Sequence, residues 1–442
     1  MLIDTAVFQR WLSRPVSEGR FVRHVLTLAS GTLAAQLVTV AAAPLLARAY
    51  SPEAFGIFGA LIGLGAVLGG VAGLKYELAI VLERGEASAS DALRLTLSIA
   101  AAFAGVVLMA AVLASSLFNP LKLSDHNLLL LLLPVFALLS GWSTALGFWA
   151  TRHEYWAVQA QSVLARNLGT AGCQLGLSLF ATGPLGLTTG RVVGELFAFV
   201  RLWHGIRPAR GGSQTWMHFG RTSNGDRTNG SRLQALAAKH RELPLYQAPR
   251  AFLRSATVHL PVLLLTGCAS PIVAGLYWFA ARLLRMPVEM AGNAVRRVFF
   301  KGAVALHQEG NSTRPFLISV TALLGVAGLA PMLVLAAKGP ELFAFAFGEE
   351  WRIAGAYARW LAVWSWLELI AAPAGMLVSV YSIQRSFFWV DVTALLTGAA
   401  ALMFAAWSGR HELAIGLYAA VMASRCLHQI AFVLARTGDA AK

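Results

Sequence analysis

The chain has 442 residues, of which 57% are hydrophobic and only 13% charged, with a formal net charge of +15. A soluble chain carries about 25% charged residues, so this one lacks the polar material to coat the two or more cores its length would need. Composition therefore excludes an ordinary soluble globular protein, and the basic excess is explained by membrane topology and anionic headgroups rather than by nucleic acid.

In chain order, residues 1–24 form a polar tail containing Arg10, Arg14, Arg20 and Arg23, with no clean cleavage site before the first apolar run. Apolar stretches then recur, each long enough to cross a hydrocarbon core of about 30 Å. Lipid satisfies no backbone hydrogen bond, so such stretches are helices or strands of a closed barrel. Barrel strands alternate apolar and polar residues, and Leu128–Leu133 and Val258–Leu265 do not. The spans predicted for a first lobe, 25–205, are 25–47, 55–82, 93–117, 127–150, 158–180 and 182–204. A basic linker, 206–249, follows, its Gly-, Ser-, Asn- and Arg-rich part from Arg210 to Ser231 reading as flexible. The second lobe, 250–436, holds spans 250–268, 272–295, 315–337, 353–382, 387–407 and 411–435. The expected fold is all-α and integral to the membrane, about twelve helices in two six-helix lobes.

Basic residues cluster in the tail, in the linker (Arg207, Arg210, Arg221, Arg227, Arg232, Lys239, Arg241) and after the eighth span (Arg296, Arg297, Lys301, Arg314). The alternate loops, Asn119–His126, Ala181–Leu185 and Lys338–Glu350, are short and poor in Lys and Arg. The positive-inside rule then places the basic set and both termini in the cytoplasm. Cys173, Cys268 and Cys426 lie apart in apolar segments, which reads as packing rather than a disulfide or a metal site.

An internal echo organises the chain. Ser51-Pro52-Glu53-Ala54-Phe55-Gly56-Ile57-Phe58 and Ser270-Pro271-Ile272-Val273-Ala274-Gly275-Leu276-Tyr277 share the pattern Ser-Pro-x-x-apolar-Gly-aliphatic-aromatic. Both precede the second span of their half, so a duplication displaced by six spans keeps its orientation, with a pseudo-two-fold axis along the membrane normal.

These residues, with Ala34–Leu37, Pro44–Arg48, Lys75–Ile80, Pro244–Tyr246, Pro249–Leu253, Arg282–Pro287 and Trp351–Tyr357, resemble in order and spacing the polysaccharide flippases of the MOP superfamily. Those O-antigen and lipid-linked oligosaccharide flippases are grouped there with the multidrug MATE exporters. Lys75 stands where relatives often have Arg. The resemblance implies two six-helix lobes around a cationic cavity. It also implies transfer of an undecaprenyl-pyrophosphate-linked oligosaccharide from the cytoplasmic to the periplasmic leaflet of the inner membrane, for O-antigen or exopolysaccharide synthesis. Coupling to protons or sodium and contact with polymerase or export partners are part of the same expectation. No cofactor and no enzymatic chemistry are expected.

Ionisable residues inside the spans are the candidate site, because each costs about 2.5–3.5 kcal/mol at the bilayer centre unless it faces a cavity or a partner. Lys75 and Glu77, two apart, fall on different faces of a continuous helix and reach separate partners or snorkel. Arg191 and Glu195, at i,i+4, share a face and pair with each other, while the sequence shows no partner for Arg166. Arg282, Arg285 and Glu289 form one stripe in which two cations share one carboxylate, and surplus Arg suits a pyrophosphate. Glu368 and Asp391 are carboxylates for a coupling proton or sodium, or else local hydrogen-bond partners. His259 reads as a helix–helix hydrogen bond and Trp360, Trp364 and Trp366 as an aromatic belt or a sugar-stacking surface. The competing function is a MATE-like exporter of amphipathic cations, which would favour carboxylates and aromatics over surplus Arg.

Overall fold

The computed structural model describes residues 19–117, 127–180, 183–206, 228–309, 311–381 and 384–439, all helical or in turns between helices. Tail residues 1–18, the loop 118–126 and linker residues 207–227 lie outside the described residues, while tail residues 19–24 open α1. The helices are α1 (Gly19–Ala49), α2 (Pro52–Gly69), α3 (Glu77–Leu82), α4 (Glu86–Leu117), α5 (Asn127–Arg152), α6 (Trp156–Ser178) and α7 (Gly183–Ile206). They continue as α8 (Thr228–Lys239), α9 (Ala248–Leu264), α10 (Pro271–Gln308), α11 (Arg314–Phe347), α12 (Arg352–Val380), α13 (Gln384–Ser408) and α14 (His411–Asp439). Wide π turns, Leu243–Gln247 and Leu265–Ala269, flank α9.

Eleven of the twelve expected spans each lie on one helix, and the twelfth, 55–82, on two. Among the described residues nine helical segments are apolar and long enough to cross a membrane. The other three expected spans fall on α6, α7 and α10, of 23, 24 and 38 residues. Length is not what sets these apart. Gln159, Gln161, Arg166, Asn167 and Gln174 in α6, Arg191, Glu195 and Arg201 in α7, and Arg282, Arg285 and Glu289 in α10 lower their hydropathy. These three helices also carry most of the candidate charges. Exposed Val106, Met109, Val326 and Trp407 present an apolar exterior suited to lipid.

Two elements differ from expectation. The span 55–82 is broken: α2 ends at Gly69, residues 70–76 form turns, and α3 restarts at Glu77. Leu74 (φ 48°) and Lys75 (φ 65°) are both left-handed, a conformation that costs a non-glycine residue about 1–3 kcal/mol and persists only when its surroundings impose it. The external loop expected at Lys338–Glu350 is instead helical as far as Phe347, bent at Lys338 (φ −124°) just before Pro340. Proline at 340 cannot donate back to carbonyl 336, so the helix kinks there and resumes along apolar Leu342–Phe347.

The chain folds as two compact units. One comprises Arg20–Tyr50 and Phe58–Leu260, the other chiefly Ser51–Ile57 and Pro261 onward. The core of the first unit packs Tyr76, Ile80, Leu93, Leu146, Trp149, Leu202 and Ile206 with Leu236 of α8. Helix α8, inside the expected linker, is thus docked on its unit rather than solvated. Tyr76 donates its hydroxyl to the Ala237 carbonyl (3.2 Å). Lys239 Nζ and His240 Nε2 lie 2.6 and 2.7 Å from Glu83 Oε1, whose side chain is buried. The Lys239 hydrogen bond, and then that of His240, holds the Glu83 carboxyl below the usual carboxylate range. Arg152 of α5 donates to the carbonyls of Ile80 (2.9 Å), Glu83 and Arg84, satisfying orphan acceptors at the end of α3.

In the second unit, Phe299, Leu317, Leu377, Phe387 and Val433 form one buried cluster. The echo reappears here as local structure. Ser51 Oγ accepts from Ala54 N (3.3 Å) and Ser270 Oγ from Val273 N (3.2 Å), so both serines cap a helix that opens on proline. The two echo glycines then meet: a Cβ on Gly56 would sit 1.7 Å from the Pro271 carbonyl oxygen, and one on Gly275 1.8 Å from that of Pro52. Only glycine allows this reciprocal backbone approach. Phe55 lies edge-on to Phe279 (5.3 Å) and Trp351 (5.2 Å) beside it.

Candidate functional site

The break in the second span decides what Lys75 and Glu77 can do. In a continuous helix they would lie about 200° apart. The two left-handed residues fold them together instead, and Lys75 Nζ donates to Glu77 Oε1 at 3.2 Å. The separate partners expected for them are replaced by this mutual pair. The Lys75 side chain stays 23% accessible, while buried Glu77 keeps Oε2 without a hydrogen-bond partner.

Deeper in the same unit, α6 and α7 bring three charges together. Arg191 Nη2 donates to Glu195 Oε1 at 2.8 Å, the i,i+4 pair that the spacing predicts. Arg166, whose partner the sequence does not show, places Nε 3.1 Å from Glu195 Oε2, a charge contact outside hydrogen-bonding geometry. Glu195 is 3% exposed, against 24% for Arg191 and 27% for Arg166. Two reachable cations thus share one buried carboxylate, a net positive cluster. The Arg191 guanidinium also lies 5.7 Å from the Phe136 ring centre.

In the second unit the α10 stripe extends by one turn to Trp278. Arg282 turns onto Trp278, 4.9 Å from its ring centre, and Arg285 reaches Glu289 only at 3.9 Å. Asp391 of α13 accepts from Arg425 Nε at 2.6 Å. Arg425, an intramembrane cation of α14, is a residue that sequence reasoning missed, although a lone Arg in a long apolar run is itself a signal. Tyr277 lies edge-on to Tyr418 with ring centres 6.3 Å apart, and Trp364 lies edge-on to Tyr418 at 5.6 Å. Glu368 is exposed on α12, within electrostatic range of both tyrosines and of Arg425. Of the tryptophans, Trp366 donates to the Gly325 carbonyl (2.9 Å) and Trp360 is exposed. Trp364 and Trp366 thus both make packing contacts within their unit.

Polar residues held inside a helical unit and broken at one span are features of transport proteins. Solved structures of similar fold exist. A MOP superfamily transporter from Pyrococcus furiosus superposes with a TM-score of 0.57 over 95% of this chain and 96% of its own, at 12% identity. The chain has the MOP transporter fold. The lipid II flippase MurJ, in an inward closed conformation, superposes with a TM-score of 0.64 over 93% of this chain and 87% of its own, at 13% identity. A multidrug resistance MATE transporter in an outward-facing conformation gives 0.57 at 11% identity, covering 95% and 96%. No protein-family model matches the sequence, and no curated protein matches it. Within the MOP fold the candidate charges therefore have to be interpreted from their own geometry.

Proposed function

We propose that the protein is a flippase moving undecaprenyl-pyrophosphate-linked oligosaccharides across the inner membrane by alternating access, with both termini cytoplasmic. The observation that carries this reading is the cluster in which Arg166 and Arg191 share the single carboxylate of Glu195. A surplus cation with reachable guanidinium groups suits a pyrophosphate, which arginine grips through paired, charge-assisted hydrogen bonds. Lys75, Arg282 and Arg285 add further cations for the same headgroup or for its path. A MATE-like exporter of cations would have little use for such a surplus.

Asp391 is neutralised by Arg425, which leaves Glu368 as the carboxylate of the second unit for a coupling proton or sodium. Lipids of the membrane, and polymerase or export proteins acting on the delivered glycan, complete the proposed partners.

The test is transfer of a fluorescent undecaprenyl-pyrophosphate oligosaccharide in vesicles containing the purified protein, with proton or sodium gradients imposed. Arg166→Gln/Arg191→Gln should lower transfer at least about 10-fold, the scale of losing hydrogen bonds to a charged group. Full transfer by that folded variant would remove the cluster from the mechanism. Failure of the wild type with several glycans, joined to export of cationic dyes, would favour the exporter.

A further inference from the structure

Helix α3 is only six residues long, Glu77–Leu82, and cannot hold itself in place. Three attachments pin it. Arg152 of α5 takes the carbonyls at its end. The other two come from α8: the Ala237 carbonyl receives the Tyr76 hydroxyl just before α3, and Lys239 and His240 grip Glu83 just after it. Between these two pins lie the buried residues Glu77, Ala79 and Ile80. Immediately ahead of them are the left-handed residues Leu74 and Lys75. A costly break persists only where its surroundings impose it, and α8 supplies two of the three attachments that do so.

We propose that α8 is a clamp that keeps the second span folded at Leu74–Lys75 and so holds Lys75 against Glu77. Tyr76, Glu83, Lys239 and His240 are positioning residues for that pair. With α8 docked, the Lys75 ammonium is matched by Glu77. With α8 released, α2 and α3 regularise into one helix and the two side chains move to opposite faces, leaving Lys75 available to an external anion. The groups facing Glu83 are Lys239 of α8 and His240 just after it, and the Arg152 guanidinium sits at the backbone of the same turn. The functional consequence rests on the flippase reading above, whereas the clamp itself does not.

The experiment uses the full chain in lipid nanodiscs, with Cys173, Cys268 and Cys426 replaced by alanine and spin labels at Leu61 and Leu82. A continuous helix would separate these two positions by about 31 Å. Hydrogen exchange over residues 228–240 reports α8 docking in parallel. Tyr76→Phe/Glu83→Gln should speed exchange across α8 and add a population near the continuous-helix distance that the unmodified clamp lacks. Lys239→Ala/His240→Ala removes the Glu83 pin from the α8 side without touching α3 and should add the same population, while Lys239→Arg alone, which keeps a cation on Glu83, retains the original distribution. If α8 is released and the distances stay unchanged, or if only the α3-side variant shifts them, the clamp is wrong. An α8 that stays protected in both double variants also overturns it. No substrate enters either measurement, so a failed transfer assay and a failed clamp are told apart. If the clamp holds, the double variants should also change the substrate concentration at half-maximal transfer more than the maximal rate.

Discussion

At the scale of single residues, Glu195 carries the most consequence. It is the common anion of Arg166 and Arg191 and is itself buried. Removing one partner of a fully buried pair costs about 3–5 kcal/mol. The arginines here keep about a quarter of their exposure, so Glu195→Gln should destabilise by ~2–3 kcal/mol, read as thermal unfolding in nanodiscs. Adding Arg166→Met should recover part of that loss, and a further loss would mean the arginines do not repel. Glu83 yields a pH dependence. Its carboxyl titrates below the usual range in the folded chain, so its contribution is present above the unfolded value of about 4.3 and disappears as pH falls through the folded value. Exchange protection of α8 should therefore hold from neutral pH to about 5 and weaken below about 4.3. Glu83→Gln should be weakly protected at neutral pH and lose that acid transition, and a wild-type midpoint above 5 would contradict the assigned cause.

At the scale of elements, the echo glycines make a contact that no larger residue fits. The atoms nearest a Cβ on Gly275 are backbone, including the Pro52 carbonyl oxygen at 1.8 Å, so no side chain can swing aside. Gly275→Ala should cost about 1–3 kcal/mol or more by overpacking, and Gly56→Ala a similar amount. Gly105→Ala meets open space and should be neutral or slightly stabilising through helix propensity. Unfolding midpoints of the three variants decide whether the crossing is as tight as its geometry. The echo was legible as a pattern of letters, and so were its proline starts. That its two copies touch each other was not, because nothing local in either segment encodes its neighbour.

For the whole molecule, the twelve expected spans, being even in number, predict that both termini lie on one side of the membrane. Fusing a reporter active only in the cytoplasm to each end should give two active fusions, and one silent terminus would mean that one of α6, α7 or α10 does not cross. These three are the sensitive test because polar side chains lower their hydropathy. Part of the polarity of α6 is satisfied by neighbouring helices within the fold. Gln174 donates to Leu187 (2.7 Å) and receives the Tyr50 hydroxyl on its carbonyl (2.7 Å), and Asn167 donates to Ala35 (2.8 Å). A helix can tolerate such groups in lipid only if neighbours supply the partners that water would otherwise provide.

The sequence by itself determined that this is a helical membrane protein, roughly where its spans fall, and which pair within α7 forms. All three follow from short-range physics: a hydrophobic run must match a bilayer, and residues four apart on a helix must meet. Tertiary structure alone decided that Arg166 joins Glu195 and that Arg425 neutralises Asp391. It alone decided that Lys75 and Glu77 face each other. Helical periodicity puts them on opposite sides, and only the packing of Tyr76, Glu83 and α8 around a strained turn can overrule it. Pairing between helices depends on which faces the folded units bring together, and that information is held in no single stretch of the chain.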